Sequence, residues 1–240
     1  MPCYGPLKGY RGRVNSNGKR PVVFNRRYAG EPIEFVEVPC GQCIGCRLER
    51  SRQWAMRCEH ECSLYENNCF ITLTYNDDAL ENWKARGIPA YQRYSINVDE
   101  FQRFMKRLRK KAGADVRVFY CGEYGDKYGR PHYHAILFNF DFEDKEAWKR
   151  SNGELIYRSP TLERLWPHGY SSIGTATFES AAYCARYCLK KVTGDNSRKM
   201  YVVVHEDTGE ILEHYPPFAQ MSKGIGKAWY ERFKRDVYPH

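Results

Sequence analysis

His132 and His134 stand two residues apart in the run Arg130-Pro131-His132-Tyr133-His134-Ala135-Ile136-Leu137-Phe138. In an extended strand that spacing puts both imidazoles on one face. Two neutral imidazoles can together hold one divalent ion. Gly125, Gly129 and Pro131 mark a turn, so Val116 to Cys121 should form the adjacent strand and deliver Glu123 to the same place. Two histidines and one carboxylate leave coordination positions open, as a metal that must also bind substrate requires. The donors are hard enough for Mg²⁺ or Mn²⁺. Taken alone, the pattern also fits a hairpin whose histidines are satisfied core residues.

Thr177 to Lys191 supplies a second constellation. Thr177 suits an N-cap, Glu179 the first turn and Gly194 a stop. On such a helix Tyr183 and Tyr187 lie one above the other, with Lys190 one turn beyond. A tyrosine beside a metal and a cation can attack phosphorus, because the metal polarises the phosphoryl oxygen and the cation favours the phenolate. Packed in a core, the same stripe would be only structural. A third cluster is Cys40-x-x-Cys43-x-x-Cys46, with Gly41 and Gly45 easing tight turns. Three thiolates need a fourth ligand for tetrahedral zinc. Cys3, in a Pro- and Gly-rich start, is the expected one, with Cys58 or Cys62 as alternatives. The spacing is also compatible with an iron–sulfur cluster.

Together these motifs resemble the HUH endonucleases that initiate rolling-circle replication. His-hydrophobe-His, then Tyr-x-x-x-Tyr-x-x-Lys, follow Phe70-Ile71-Thr72-Leu73-Thr74-Tyr75 in the family's order. Pro39-Cys40-Gly41-Gln42-Cys43-Ile44-Gly45-Cys46-Arg47 and the Gly122-Glu123-Tyr124-Gly125 run resemble the initiators of gokushovirus-type microviruses, small phages with circular single-stranded DNA. The resemblance implies a ferredoxin-like HUH palm with an antiparallel sheet and a Cys-rich zinc-binding appendage. It also implies an endonuclease and strand transferase working through a 5′-phosphotyrosyl link. One tyrosine would cleave first and the second after one round of synthesis, with Lys190 balancing charge. Arg47, Arg130, Arg186 and Lys191 are the expected DNA-binding cations. The implied partners are single-stranded origin DNA and a host helicase and polymerase, in the cytoplasm of an infected bacterial host. Family members commonly continue past a point such as Tyr238-Pro239-His240, so a C-terminally shortened chain is expected. Two other readings fit parts of the pattern: a related HUH transposase or relaxase, and a non-catalytic zinc-dependent DNA-binding protein.

The remaining chain must position these groups. It has 240 residues, a net charge of +9 and 19 tyrosines. A basic chain with aromatics between its cations suits single-stranded nucleic acid, where bases stack on rings. No apolar run is long enough to span a bilayer, no secretory signal begins the chain, and the ten cysteines therefore read as thiols. No phosphate-binding Gly-x-x-x-x-Gly-Lys loop is present, so unwinding falls to another protein. The expected divisions are a Cys-rich segment over 1–66, an endonuclease core over 67–195 and an extension over 196–240. Within them the pattern predicts short strands in 4–39, a helix over 47–66, a strand over 69–75 and a loop over 79–95. Asn97-Val98-Asp99-Glu100 resembles a capping box opening a helix to Ala112. Residues 141–158 show little pattern. Ser159-Pro160 should start a short helix, 170–175 a strand and 226–236 a helix. His168, beside Pro167 and Gly169, reads as a loop residue. This order predicts an α+β fold with a mostly antiparallel sheet and helices on one face.

Overall fold

The computed structural model describes residues 3–113, 115–125, 129–151, 153–187, 201–205 and 208–237, with Tyr187 described in its backbone alone. These residues fall into two compact units, 1–50 and 51–240. In the first, strands β1 (Leu7–Arg11), β2 (Val22–Val23) and β3 (Phe35–Val38) form an antiparallel sheet in the order β2-β1-β3. Helix α1 (Ile44–Cys62) begins here, a few residues earlier than the pattern predicts.

The second unit is built on an antiparallel sheet of seven strands. They are β4 (Asn68–Tyr75), β5 (Arg117–Tyr124), β6 (Pro131–Phe138), β7 (Glu146–Ser151), β8 (Glu154–Arg158), β9 (Gly169–Thr175) and β12 (Phe218–Met221). The order is β12-β5-β6-β4-β9-β8-β7, which puts β6 and β4 at the centre. Strands β10 (Val202–Val204) and β11 (Ile211–Glu213) pair separately. The helices are α2 (Asp77–Glu81), α3 (Val98–Ala112), α4 (Pro160–Leu165), α5 (Phe178–Tyr187) and α6 (Lys227–Val237).

Both faces of the sheet are covered, not one. Alternation along the strands sends Ile71, Leu73, Tyr75, Tyr133, Ala135 and Leu137 to one face, where Phe101, Phe104, Met105 and Leu108 of α3 cover them. The opposite set, Phe119, Cys121, Ile136 and Phe138, packs against Ala55 and Cys58 of α1 and Ala181, Cys184 and Ala185 of α5. That second helical layer is made of small residues and thiols, so it carries little apolar signal in the sequence. Ser51 Oγ donates to Ala182 O at 3.2 Å and ties α1 to α5.

Two segments differ from the sequence pattern for local reasons. The 141–158 region contains the β7–β8 hairpin, whose first strand is exposed along its whole length, so no alternation betrays it. The start of the expected loop over 79–95 belongs to α2, capped by Asn76 Oδ1 accepting from Ala79 N at 2.8 Å. The capping box at α3 is not formed. Asn97 Oδ1 does accept from Asp99 N at 2.9 Å, but the Asn97 N–H goes to Tyr133 Oη at 2.7 Å. Glu100 instead turns inward. Arg86 Nε and Nη2 donate to its two oxygens at 2.8 and 2.6 Å, the Tyr75 hydroxyl donates to it as well, and His168 Nε2 lies 3.9 Å away. Ser159 Oγ caps α4 as expected, accepting from Leu162 N at 3.1 Å.

Gly169 has a steric reason to be glycine. Its φ is +147°, and a Cβ there would stand 2.4 Å from both Thr74 O and Asn76 N.

Candidate metal centre and tyrosine helix

Register explains how the first cluster assembles. In the β5–β6 pair Glu123 lies opposite His132 and Cys121 opposite His134, so Glu123 shares a face with both imidazoles. On the other side of β6, Thr72 of β4 lies opposite His134. Glu123 Oε1 is 3.1 Å from His132 Nε2 and 3.0 Å from His134 Nε2. Each of the three residues offers an atom within 4.8 Å of the others'.

The tautomers can be reasoned from the partners. His132 Nδ1 is 2.9 Å from Arg130 O, a carbonyl that only accepts, so Nδ1 carries a proton. His132 Nε2 faces the Glu123 carboxylate, so that position is filled by a donated proton or by a shared cation. His134 Nδ1 is 2.9 Å from Thr72 Oγ1, and its Nε2 is buried 3.0 Å from Glu123 Oε1 without a well-aligned hydrogen bond among the described residues. Burial lowers the His134 pKa below the usual imidazole value, with the Glu123 carboxylate opposing, and so favours the neutral, ligand-competent ring. The ring is fixed by Phe70, stacked at 5.6 Å and 3°, and by the edge of Tyr183 at 4.9 Å and 88°. A backbone carbonyl and a threonine hydroxyl thus orient the two rings, as outer partners do in metal sites. These donors fit a hard divalent ion. Thr72 is the residue that the sequence reading left without a role. Its same-face position in Phe70-x-Thr72-x-Thr74 was legible, but its pairing with His134 depends on register.

Helix α5 brings the tyrosine. Ser180 N donates to Thr177 Oγ1 at 3.2 Å and Thr177 N donates to Ser180 Oγ at 2.8 Å, a reciprocal cap that fixes the helix start. Two turns in, the Tyr183 hydroxyl donates to Glu123 Oε1 at 2.9 Å. The side chain of Tyr187, together with Lys190, Lys191 and Gly194, lies outside the described residues. Arg186 is exposed on the last turn of α5. Arg130 is held at the hairpin end, Nη1 donating to Tyr75 O at 2.9 Å and Nη2 to Asp77 Oδ1 at 2.5 Å. His168 faces the Glu100 network on the other side of the sheet, so it is no part of this cluster.

The cysteine cluster forms in the first unit with Cys3 as its fourth member, all four sulfurs within 4.8 Å of one another. Cys58 is instead buried against α5, and Cys62 packs at the edge of the same core. Cys43 Sγ lies 3.8 Å from Cys3 Sγ, and Cys40 Sγ lies 4.0 Å from Cys46 Sγ. Zn–S bonds of about 2.3 Å put the edges of a tetrahedron at about 3.8 Å, so the spacing suits zinc. Backbone N–H groups of Tyr4 and Cys46 point at Cys43 Sγ and lower its thiol to about 6, which favours the thiolate a metal needs, while burial pushes the Cys46 thiol up to about 12. Arg47 follows this cluster in α1 and is half-buried.

A profile of the replication-associated protein ORF2/G2P family matches residues 68–192, just over half of the chain. The chain belongs to that family. Its ORF2/G2P region contains β4, the β5–β6 hairpin and α5, the elements that carry every residue of the Glu-His-His cluster and Tyr183. The chain is 31% identical to the replication-associated protein VP4 of Bdellovibrio phage phiMH2K, covering 99% of this chain and 70% of that protein. It is 34% identical to the replication-associated protein ORF2 of Spiroplasma virus 4, over 84% of this chain and 59% of that one. With ORF4 of Chlamydia phage 1, also a replication-associated protein, it shares 32% over 64% of this chain and 38% of the relative. The resemblance to phage replication initiators read from the motifs agrees with this membership. No solved structure matches the chain significantly. Among the described residues, no helix is long and apolar enough to cross a membrane.

Proposed function

We propose that this chain initiates rolling-circle DNA replication as a metal-dependent single-strand endonuclease and strand transferase of the HUH type. The observation that carries the reading is the Tyr183 hydroxyl at 2.9 Å from the carboxylate oxygen that both imidazoles face. In this reading β4, β5, β6 and β9 form the ferredoxin-like palm. Residues 67–195 are the catalytic core, 1–66 the Cys-rich segment and 196–240 an extension. Glu123, His132 and His134 would hold Mg²⁺ or Mn²⁺, which would supply Lewis-acid polarisation of the scissile phosphodiester. Tyr183 lies at the edge of that cluster and would attack the phosphorus of a strand bound there. Its Oη–P bond forms as the P–O3′ bond breaks. The phenolic proton ends on the departing 3′-oxygen, leaving a 5′-phosphotyrosyl link and a 3′-hydroxyl that primes synthesis. Tyr187, four residues on, is the second nucleophile for the next cleavage and joining. Lys190, Lys191, Arg186, Arg130 and Arg47 contribute cations toward the DNA backbone. The setting is the infected bacterial cell, with helicase and polymerase supplied by the host.

The test is incubation of the protein with labelled single-stranded phage-genome DNA and Mn²⁺, followed by a denaturing gel. A protein band shifted by covalently bound DNA is expected, and chelator should abolish it. Binding to genome-derived strands without any adduct would refute the nuclease and leave a DNA-binding protein.

The cysteine cluster is proposed as structural zinc. Elemental analysis is expected to find one zinc per chain, lost on Cys43→Ser. A chain containing no zinc, or a serine variant that keeps its metal and its melting temperature, would count against the assignment.

A further inference from the structure

A cavity of about 680 Å³ lies at the same end of the β5–β6 hairpin as the metal cluster, backed onto it across the sheet. Tyr124 and Pro131 pair with each other and line the cavity, while Glu123 and His132, the next pair, form the cluster on the opposite face. One strand end therefore serves both sites. Rings share the cavity walls with the aliphatic Leu80, Val203, Val204 and Leu212. Tyr124 stacks on His214 at 5.3 Å and 16°, Tyr94 on His205 at 6.0 Å and 28°, and Tyr201 completes the lining. Arg130 stands at its rim beside Asp77.

Two features mark these walls as more than packing. Tyr94 holds a left-handed backbone, φ +61°, which a bulky residue adopts only when its surroundings enforce it. His205 Nδ1 and His214 Nε2 are buried and make no hydrogen bond among the described residues, a costly state for polar atoms. Aromatic faces, unsatisfied ring nitrogens and a rim guanidinium match the chemistry of a nucleobase carried on a phosphate chain. The volume is in the range of small-ligand sites.

We infer that this cavity takes an unpaired base of the single-stranded DNA flanking the scissile phosphate, and so holds the strand in register at the metal cluster. The inference rests on the proposed nuclease reading for its substrate. Its occupant is a base within a strand, stacked on the tyrosine and histidine rings, with Arg130 reaching the adjoining phosphate.

The test measures binding alone, without added Mg²⁺ or Mn²⁺, so it is independent of cleavage and leaves the proposed zinc in place. Fluorescence anisotropy compares labelled oligothymidylate with an abasic oligomer of the same length and backbone. The wild-type chain is expected to prefer the oligothymidylate by about tenfold, the scale of one stacked base. Tyr201→Ala should erase most of that preference. Val204→Trp should do the same by filling the cavity from an exposed strand position that leaves the core alone. Affinity for the abasic strand should stay unchanged in both. Equal binding of the two strands by the wild type would overturn the inference, and so would variants that keep the preference. Competition by dTMP as strong as by the oligomer would also overturn it, by reassigning the cavity to a free nucleotide. A chain that shows the base preference but forms no adduct with Mn²⁺ would leave the cavity assignment standing and sink the nuclease instead.

Discussion

Tyr183→Phe is expected to lower covalent capture of single-stranded DNA at least about a thousandfold, a loss of about 4 kcal/mol of transition-state stabilisation. The substitution removes one oxygen and keeps the ring that packs edge-on against His134. Folding and DNA binding should therefore survive, and the loss should appear in the chemical step. Loss of the hydroxyl also removes the hydrogen bond to Glu123 Oε1, so metal binding should be retained or tightened. The measurement is a time course of adduct formation with Mn²⁺ for Tyr183→Phe, Tyr187→Phe and the double variant, with binding followed separately. The double variant should form no adduct. Full capture by Tyr183→Phe with none by Tyr187→Phe would hand the first attack to Tyr187. A double variant that still nicks would remove tyrosine from the mechanism altogether.

Arg86→Met is expected to cost about 3–5 kcal/mol, because it strands a buried carboxylate without its partner. The Arg86 and Glu100 side chains are only 8% and 2% exposed, and two hydrogen bonds join them. In a chain of this size the melting temperature should fall by roughly 6–20 °C. The effect has a pH signature. Burial alone would raise the Glu100 carboxyl, but the bonds and charge of Arg86 outweigh it and leave the pKa lowered. In the wild type this stabilisation is complete above the unfolded carboxylate value, about 4.3. It is lost as pH falls through the lower folded value. With methionine at 86, burial is opposed only by the Tyr75 hydroxyl and the more distant His168, the folded carboxyl rises, and the folded state binds the extra proton. The gap between the two proteins should be widest near neutral pH and close in acid. Thermal melts across that range decide it: a gap that does not change with pH would mean the loss comes from packing over Tyr75, whose ring lies 4.5 Å from the guanidinium, rather than from charge.

The chemistry was more legible in the sequence than its support. A two-residue spacing is enough to align His132 with His134 on one strand face, and a four-residue spacing sets the tyrosines along one helix, because both periods are local. Cys40, Cys43 and Cys46 are local in the same way. Cys3 was reachable only as a choice among candidates, and the structure brings it to the cluster ahead of Cys58 and Cys62. What could not be read depends on pairing between distant segments. Thr72 meets His134 through the β4–β6 register, and Arg86 meets Glu100 from a segment that reads as loop. Glu100 itself illustrates the limit. Its position near the start of α3 fits a local cap, yet a buried guanidinium draws the carboxylate inward and tertiary pairing wins. The second helical layer escaped notice because alanine and cysteine mark its buried side weakly, and the β7–β8 hairpin because neither face of β7 is buried.

The central placement of β6 bears on how the proposed site would come apart under stress. Its backbone is bonded to β5 on one side and β4 on the other, so the histidines cannot fray from an edge. Their amides should exchange with solvent only when the whole sheet opens, which places them in the slowest class of exchanging hydrogens. Tyr183 sits on α5, which is held to the sheet by side-chain packing and the Tyr183–Glu123 hydrogen bond rather than by strand hydrogen bonds. On the proposed reading, mild denaturation would therefore release Tyr183 while Glu123, His132 and His134 stay assembled, and a partly opened molecule would still grip metal and have nothing to attack with.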